Sequence, residues 1–152
     1  MDLQNGSASP RCRHWALRHR GPDDSAIYRD RRAGLVHTRL SIIDLATGAQ
    51  PLANQDESLW IVYNGELFNY IEIKRDLEAA GHVFRTRSDT EVVLHAYEQY
   101  GIDCFTRFNG QWALAIWNVR EGSLLMARDR MGVRPLFFHV SNNRLWCASE
   151  VK

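Results

Sequence analysis

The sequence predicts an α+β domain, and three observations lead there. Two strand-like apolar stretches come first, Leu35 to Ile43 and Leu59 to Phe68. Two stretches of helical periodicity follow, Asn69 to Ala80 and Thr90 to Tyr100. From Gln111 onward the chain reads as a meander of strands. That order predicts sheets whose faces are covered by helices or by each other. A chain of 152 residues, 45% hydrophobic and 24% charged, suits one folded domain rather than a disordered segment.

Residues 1–14 are polar and aperiodic, and are expected to form a disordered tail ahead of a domain at 15–152. RHRGPDDS, Arg18 to Ser25, carries a Gly-Pro breaker and demands a turn. LVHTRLSII alternates and then turns wholly apolar except at Ser41. DLATGAQPL is a loop, and LWIVYNGELF opens as a buried strand. Asn64-Gly65 is a strong hairpin signal. A helix starting at Asn69 leaves too little chain for a strand return, so the pair reads as a strand end.

In the first helix Asn69 and Glu72 have capping-box spacing, Ile73, Leu77 and Ala80 share a face, and Gly81 is the terminator. VFRT, residues 83–86, reads as a short strand. In the second helix Ser88 and Glu91 repeat the capping-box spacing, and Val93, Ala96, Tyr97 and Tyr100 form the apolar stripe. QWALAIWNV is apolar on both alternating faces, Trp112, Leu114 and Ile116 against Ala113, Ala115 and Trp117. Such a strand is covered on both sides. SLLMARD, PLFFHV and RLWCASE complete the meander.

Nineteen basic residues against 18 acidic ones leave a net charge of +1, which favours neither nucleic acid nor an anionic membrane as partner. No apolar run is long enough to span a bilayer, and MDLQNGSASPRCRHW lacks the apolar core of a signal peptide. A cytoplasmic location is expected. Cys12, Cys104 and Cys147 are odd in number and widely spaced, which argues against a disulfide framework and a CxxC zinc site. Cys147, in LWCASE, reads as a buried apolar residue. The six histidines show no HxxxH spacing, and no metal site is expected.

RHRGPDD, RLSIIDL with GAQPL, YNGELFNY, RTRSDTEVVLHAYEQYG, FNGQWALAIWN, ARDRMGVRPLFF and ASEVK occur in that order. Together, over residues 16–152, they resemble the glutamine-hydrolysing N-terminal domain of asparagine synthetases, the class II glutamine amidotransferases. RHRGPDD with RLSIIDL points to that branch rather than to the sugar-phosphate or purine amidotransferases. The resemblance implies a four-layer αββα sandwich of the N-terminal-nucleophile hydrolase type, here incomplete. It also implies release of ammonia from L-glutamine, for amide formation on aspartate in a second domain.

The carry-over is residue by residue. Arg39 matches the arginine that grips the glutamine α-carboxylate, for which a guanidinium fork is suited. The backbone of Leu40, Ser41, Ile42 and Ile43 lines the same pocket by this resemblance. Asp89 matches the acceptor of the α-ammonium, and Glu66 a further pocket residue. The Asn64 amide and the Gly65 N–H match the oxyanion hole, a device worth ~10²–10³ in rate where it has been dissected. The Arg and Asp residues of RHRGPDD and ARDRMGVRPL are expected in buried ion-pair networks around turns. Met131, Val133 and Arg134 depart from the commoner aromatic-Gly-Ile-Lys version of the second motif.

The family's nucleophile is a cysteine at the mature N-terminus, whose own amine is the base. This chain begins Met1-Asp2-Leu3, and Cys12 is followed by Arg13-His14-Trp15 instead of a Gly-rich apolar strand. The expectation is a domain truncated at both ends that is inactive alone. The alternative is a nucleophile-less glutamine-binding or subunit-interaction module. No cofactor is expected in this domain; ATP and magnesium belong to an absent synthetase domain. The expected partners are L-glutamine and a synthetase domain in the same or another chain, with a homo-oligomer compatible.

Overall fold

The computed structural model describes residues 24–39 and 49–151. In chain order it contains β1 (Asp24–Arg29), β2 (Gly34–Arg39), β3 (Leu52–Ala53), β4 (Leu59–Leu67), α1 (Tyr70–Ala79) and α2 (Asp89–Tyr100). A 3₁₀ segment (Gly101–Thr106) leads to β5 (Gly110–Asn118), β6 (Ser123–Arg128), β7 (Phe137–Ser141) and β8 (Arg144–Ala148). The long strands β4 and β5 pair antiparallel over their whole length, from Leu59 opposite Asn118 to Leu67 opposite Gly110. They form the centre of a sheet ordered β3-β4-β5-β6.

Period-two alternation decides which way that sheet packs. Leu59, Ile61, Tyr63 and Leu67 of β4 join Trp112, Leu114 and Ile116 of β5 on one face. Against them lie Ile73 and Leu77 of α1 and Val92, Val93, Leu94 and Ala96 of α2. Phe108 and Phe105 close the end of this core around the Trp112 ring, with Phe105 stacked on it at 5.4 Å. The opposite face carries Trp60 and Trp117, and the β1–β2 hairpin covers it. Tyr28 stacks on Trp60 at 4.2 Å, and Trp117 Nε1–H donates to Asp30 Oδ2 at 2.7 Å. The doubly apolar β5 is thus covered on both sides, as its sequence demands. Helices, central sheet and hairpins make three layers among the described residues.

Several expectations need correction. The final strands do not continue the meander: among the described residues β7 and β8 pair with each other, apart from the central sheet. Cys147 of β8 is exposed, not buried. Residues 83–86 form no strand. The Arg85 and Thr86 N–H groups instead donate to the Glu91 carboxylate, at 2.9 and 2.6 Å.

Asn69 stands before α1 but makes no side-chain cap. Its amide bridges to the loop before β5, taking the Asn109 N–H at 2.9 Å and donating to the Arg107 carbonyl at 3.0 Å. Ser88 does cap α2, accepting from the Thr90 N–H at 3.0 Å, but Glu91 is committed to residues 85–86 and does not complete the box. Gly81 ends the first helix with φ +99°, whereas Ala80 is exposed and off the packed stripe.

Among the described residues the buried Asp129 of the ARDRMGVRPL turn makes no ion pair. That carboxylate accepts backbone N–H groups of Trp112, Val133 and Arg134 at 3.1–3.2 Å. Arg128 donates to the carbonyls of Gly132 and Arg134. Residues 1–14, the RHRGPDD string through Asp23 and residues 40–43 lie outside the described residues.

Near their far ends β4 and β5 approach too closely for side chains. A Cβ at Gly65 would lie 2.6 Å from Trp112 Cα and overlap the Gln111 carbonyl. One at Gly110 would overlap the Glu66 carbonyl and lie 3.0 Å from Leu67 Cα. Neither contact is a flexible side-chain tip that can swing away. Gly65→Ala and Gly110→Ala should each lower unfolding free energy by about 3 kcal/mol, the upper end of ordinary overpacking costs, as read by urea denaturation.

Candidate functional site

The free edge of β4 organises the candidate site. Because β3 is only two residues long, pairing with Trp60 and Ile61, most of that edge has no strand beside it among the described residues. Side chains complete it instead. Asn54 Oδ1 takes the Leu59 N–H at 3.0 Å, Gln50 Oε1 takes the Tyr63 N–H at 2.6 Å, and Asp89 Oδ2 takes the Leu67 N–H at 3.0 Å. Alternate residues of a strand send their N–H groups to the same edge. The Gly65 N–H therefore points there too, between the Tyr63 and Leu67 donors. No strand among the described residues pairs with it.

Asn64-Gly65 is neither a turn nor a strand end; it lies inside β4, opposite Ala113 and Trp112. The Asn64 side chain is on the hairpin-covered face. It borders a cavity of about 450 Å³ with Val36 and His37 of β2, Ala113 and Ala115 of β5, and Phe138 of β7. Gly65, by contrast, offers its backbone at the edge.

Asp89 opens α2 and is half-buried. Burial pushes its carboxyl above the ordinary carboxylate range, and the nearby Glu66 adds to that. The Leu67 N–H and the Tyr63 hydroxyl oppose the rise. Tyr63 is 4% exposed, and its Oη lies near Asp89, Glu66 and Arg134 without a well-formed hydrogen bond to any described residue. Burial and the two carboxylates push the Tyr63 phenol up, so it stays protonated. Two carboxylates gathered beside a neutral hydroxyl form a place that favours a cation.

Asp89, Glu66 and the Gly65 backbone thus converge at one stretch of β4, with Asn64 next to them on the cavity side. Arg39 ends β2, its backbone paired with Asp24. Its side chain, and Leu40, Ser41, Ile42 and Ile43, lie outside the described residues.

Sequence reasoning missed Tyr63, Gln50 and Arg134. Tyr63 hides among core residues by period, and nothing in the string GAQPL announces that Gln50 reaches across to a strand. Gln50 also donates to Thr90 Oγ1 at 3.1 Å, so one amide ties this loop, β4 and the start of α2.

Glu91 holds the segment that delivers Asp89. It is 1% exposed and accepts from the Arg85 N–H, the Thr86 N–H and the Thr86 hydroxyl. Burial alone would raise its pKa; His95 and these donors outweigh burial and bring it to about 2. His95 is its counterpart one helical turn on, with Nε2 3.7 Å from Glu91 Oε1 and Nδ1 2.5 Å from Glu98 Oε2. Burial opposes the imidazolium, but the two carboxylates prevail and lift its pKa to about 9.

Neither described cysteine offers a thiolate. Cys104 is fully buried in the helix-side core, and burial pushes its thiol up to about 12. Cys147 borders the cavity, where desolvation also raises its pKa.

This architecture is that of the N-terminal-nucleophile amidotransferases. It superposes on the glutamine phosphoribosylpyrophosphate amidotransferase from B. subtilis, complexed with ADP and GMP, with a TM-score of 0.63 and 29% identity. The match covers 76% of this chain and 27% of that one. A second solved structure, the allosteric regulatory enzyme of purine biosynthesis, gives a TM-score of 0.57 at 28% identity, over 69% of this chain and 25% of the other.

Residues 5–152 match the family model of the glutamine amidotransferase domain, and the chain belongs to that family. Among curated relatives, asparagine synthetase [glutamine-hydrolyzing] 1 of Bacillus subtilis is 44% identical over 134 residues. A probable asparagine synthetase of Dictyostelium discoideum is 43% identical over 139 residues. The alignments take in 88% and 90% of this chain but only 21% and 25% of those proteins. The shared stretch is the N-terminal amidotransferase region of the synthetases. No helix among the described residues is long and apolar enough to cross a membrane.

The Glu91–His95 pair has a signed pH dependence. His95 is raised from 6.5 to about 9, so its contribution is complete below pH 6.5 and lost as pH climbs through 9. Glu91 is lowered from 4.5 to about 2, so its contribution is complete above pH 4.5 and lost as pH falls through 2. Denaturation midpoints should decline from pH 6.5 toward 9, and His95→Gln should flatten that alkaline slope.

Proposed function

We propose that this chain holds L-glutamine at the free edge of β4, as the glutaminase part of an asparagine-synthetase-like enzyme. The observation that carries the reading is the Gly65 N–H on a strand edge with no partner strand among the described residues, beside the Asp89–Glu66–Tyr63 cluster. A cation-favouring pocket and a free donor a few residues apart suit the two ends of glutamine. Asp89, with Glu66, takes the α-ammonium. Arg39, at the end of β2, takes the α-carboxylate, and the backbone of residues 40–43 lines the pocket. The side-chain amide then projects toward Asn64 and Gly65, whose donors receive the oxygen that turns negative when a nucleophile adds to the carbon.

In this reading the ammonia passes to a synthetase domain, in the same or another chain, for amide formation on aspartate. ATP and magnesium act only in that domain. Burial raises the thiol pKa of Cys104 and of Cys147, which disfavours either as the attacking thiolate. That observation also supports the second reading, a module that binds glutamine without cleaving it.

Calorimetric titration with glutamine tests the pocket. Saturable binding is expected, weakened about thirtyfold or more by Asp89→Ala or Arg39→Ala; that is about 2 kcal/mol, the low end for removing one partner of a buried charge pair. Absence of binding at millimolar glutamine would overturn the reading. The purified chain should release no ammonia from glutamine. Release that Cys12→Ala abolishes would identify a nucleophile within the chain and remove the binding-module reading.

A further inference from the structure

We propose that His82, His95 and Glu98 form a binding site for one divalent transition-metal ion of the zinc class, away from the glutamine pocket and independent of it. The chain folds three ligand atoms, one from each residue, to within 4.8 Å of one another. His82 comes from the loop after α1, and His95 and Glu98 lie one turn apart on α2. His82 Nδ1 and His95 Nδ1 are 3.3 Å apart. A tetrahedral ion bound at 2.0–2.1 Å sets its nitrogen ligands about 3.3–3.4 Å apart. The two imidazoles therefore already stand at ligand spacing.

The partners of the outer atoms leave those inner atoms facing one another. His82 Nε2 lies 2.9 Å from Gln99 Oε1, an acceptor, so the ring proton belongs on Nε2 and the Nδ1 lone pair is free. His95 Nε2 faces the Glu91 carboxylate. Glu98 Oε1 accepts from Asn54 Nδ2 at 2.8 Å, which turns Oε2 toward His95. Asn54 is itself buried and anchored by the Leu59 N–H. Carboxylate and amide partners behind the ligands are the second layer that orients metal-bound histidine.

Without an ion, a single proton on His95 Nδ1 must serve both Glu98 Oε2 at 2.5 Å and the His82 lone pair at 3.3 Å. A bound ion replaces that proton and satisfies all three atoms. Glu98 Oε2 then moves outward to ligand spacing, which its exposed position allows. His82 is half-buried, leaving the fourth position open to water.

Two imidazoles and one carboxylate select zinc, cobalt, nickel or copper over magnesium or calcium, which want oxygen ligands. The ion would clip the 82–88 loop to α2 on the far side of Glu91 from Asp89.

Zinc titration of the chelator-treated full chain, followed by calorimetry, with cobalt as a spectroscopic probe, decides the matter. Expected are one zinc per chain, cobalt d–d bands without thiolate charge transfer, and no saturable uptake of magnesium. His82→Gln and Glu98→Gln should each weaken zinc binding about tenfold or more, while Cys147→Ser leaves it unchanged. Both ligand variants sit at the surface of the cluster, so each should melt cooperatively without the ion. No saturable zinc uptake at millimolar ion, thiolate bands with cobalt, or undiminished affinity in both variants would overturn the site.

Discussion

A strand edge completed by side chains instead of a neighbouring strand is the constraint on which the rest of this molecule depends. β3 satisfies only a short part of β4, and the remaining outward N–H groups would be left bare. Asn54, Gln50 and Asp89 each take one of them. Those three bonds draw the loop before β4 and the start of α2 onto the sheet. They also leave Gly65 as the intervening position whose donor has no strand beside it among the described residues. A continuous partner strand would have consumed that donor and displaced Asp89. The site is therefore a product of incomplete pairing, and the three side chains are what make the incompleteness stable.

α2 serves three masters at once. Its first residue carries Asp89 to the β4 edge, its inner face packs the core, and its polar residues secure the preceding loop. Glu91 is a carboxylate almost without solvent, tolerated because backbone donors, a hydroxyl and a charged histidine surround it. Removing one partner of such an arrangement leaves a charge uncompensated. The cost of burying this network is repaid in position, since the loop it fixes leads directly to Asp89.

Much of the fold was legible because its signals are periodic. The two faces of β5, the helices and the Gly81 terminator follow from spacing alone. The failures share one physical origin: a side chain was read by its sequence neighbours but committed to a distant partner. Asn69 looked like a cap and bonds residues forty positions away. Glu91 looked like the second half of a capping box and serves the loop before the helix. Asp129 looked like an ion-pair member, and among the described residues its partners are backbone donors. His82 and His95 looked scattered because their meeting depends on how the loop after α1 returns over α2. Of the candidate site, Asp89, Glu66, Asn64 and Gly65 were readable as motif residues, whereas Tyr63 and Gln50 were not. Asn64-Gly65 misled as a turn signal because Gly65 is required by the close approach of β5, not by a bend.

The two hairpins on the sheet's second face are secured unequally. The β1–β2 pair is tied down by the Tyr28–Trp60 stack and the Asp30–Trp117 bond. The β7–β8 pair exposes Phe138 and Val140, and among the described residues no other strand pairs with it. An isolated two-stranded ribbon is marginal in water. From burial and pairing, the amides of β4 and β5 are expected to exchange more slowly than those of β7 and β8. That ribbon lines the cavity Asn64 borders, so its local stability bears on access to the cavity.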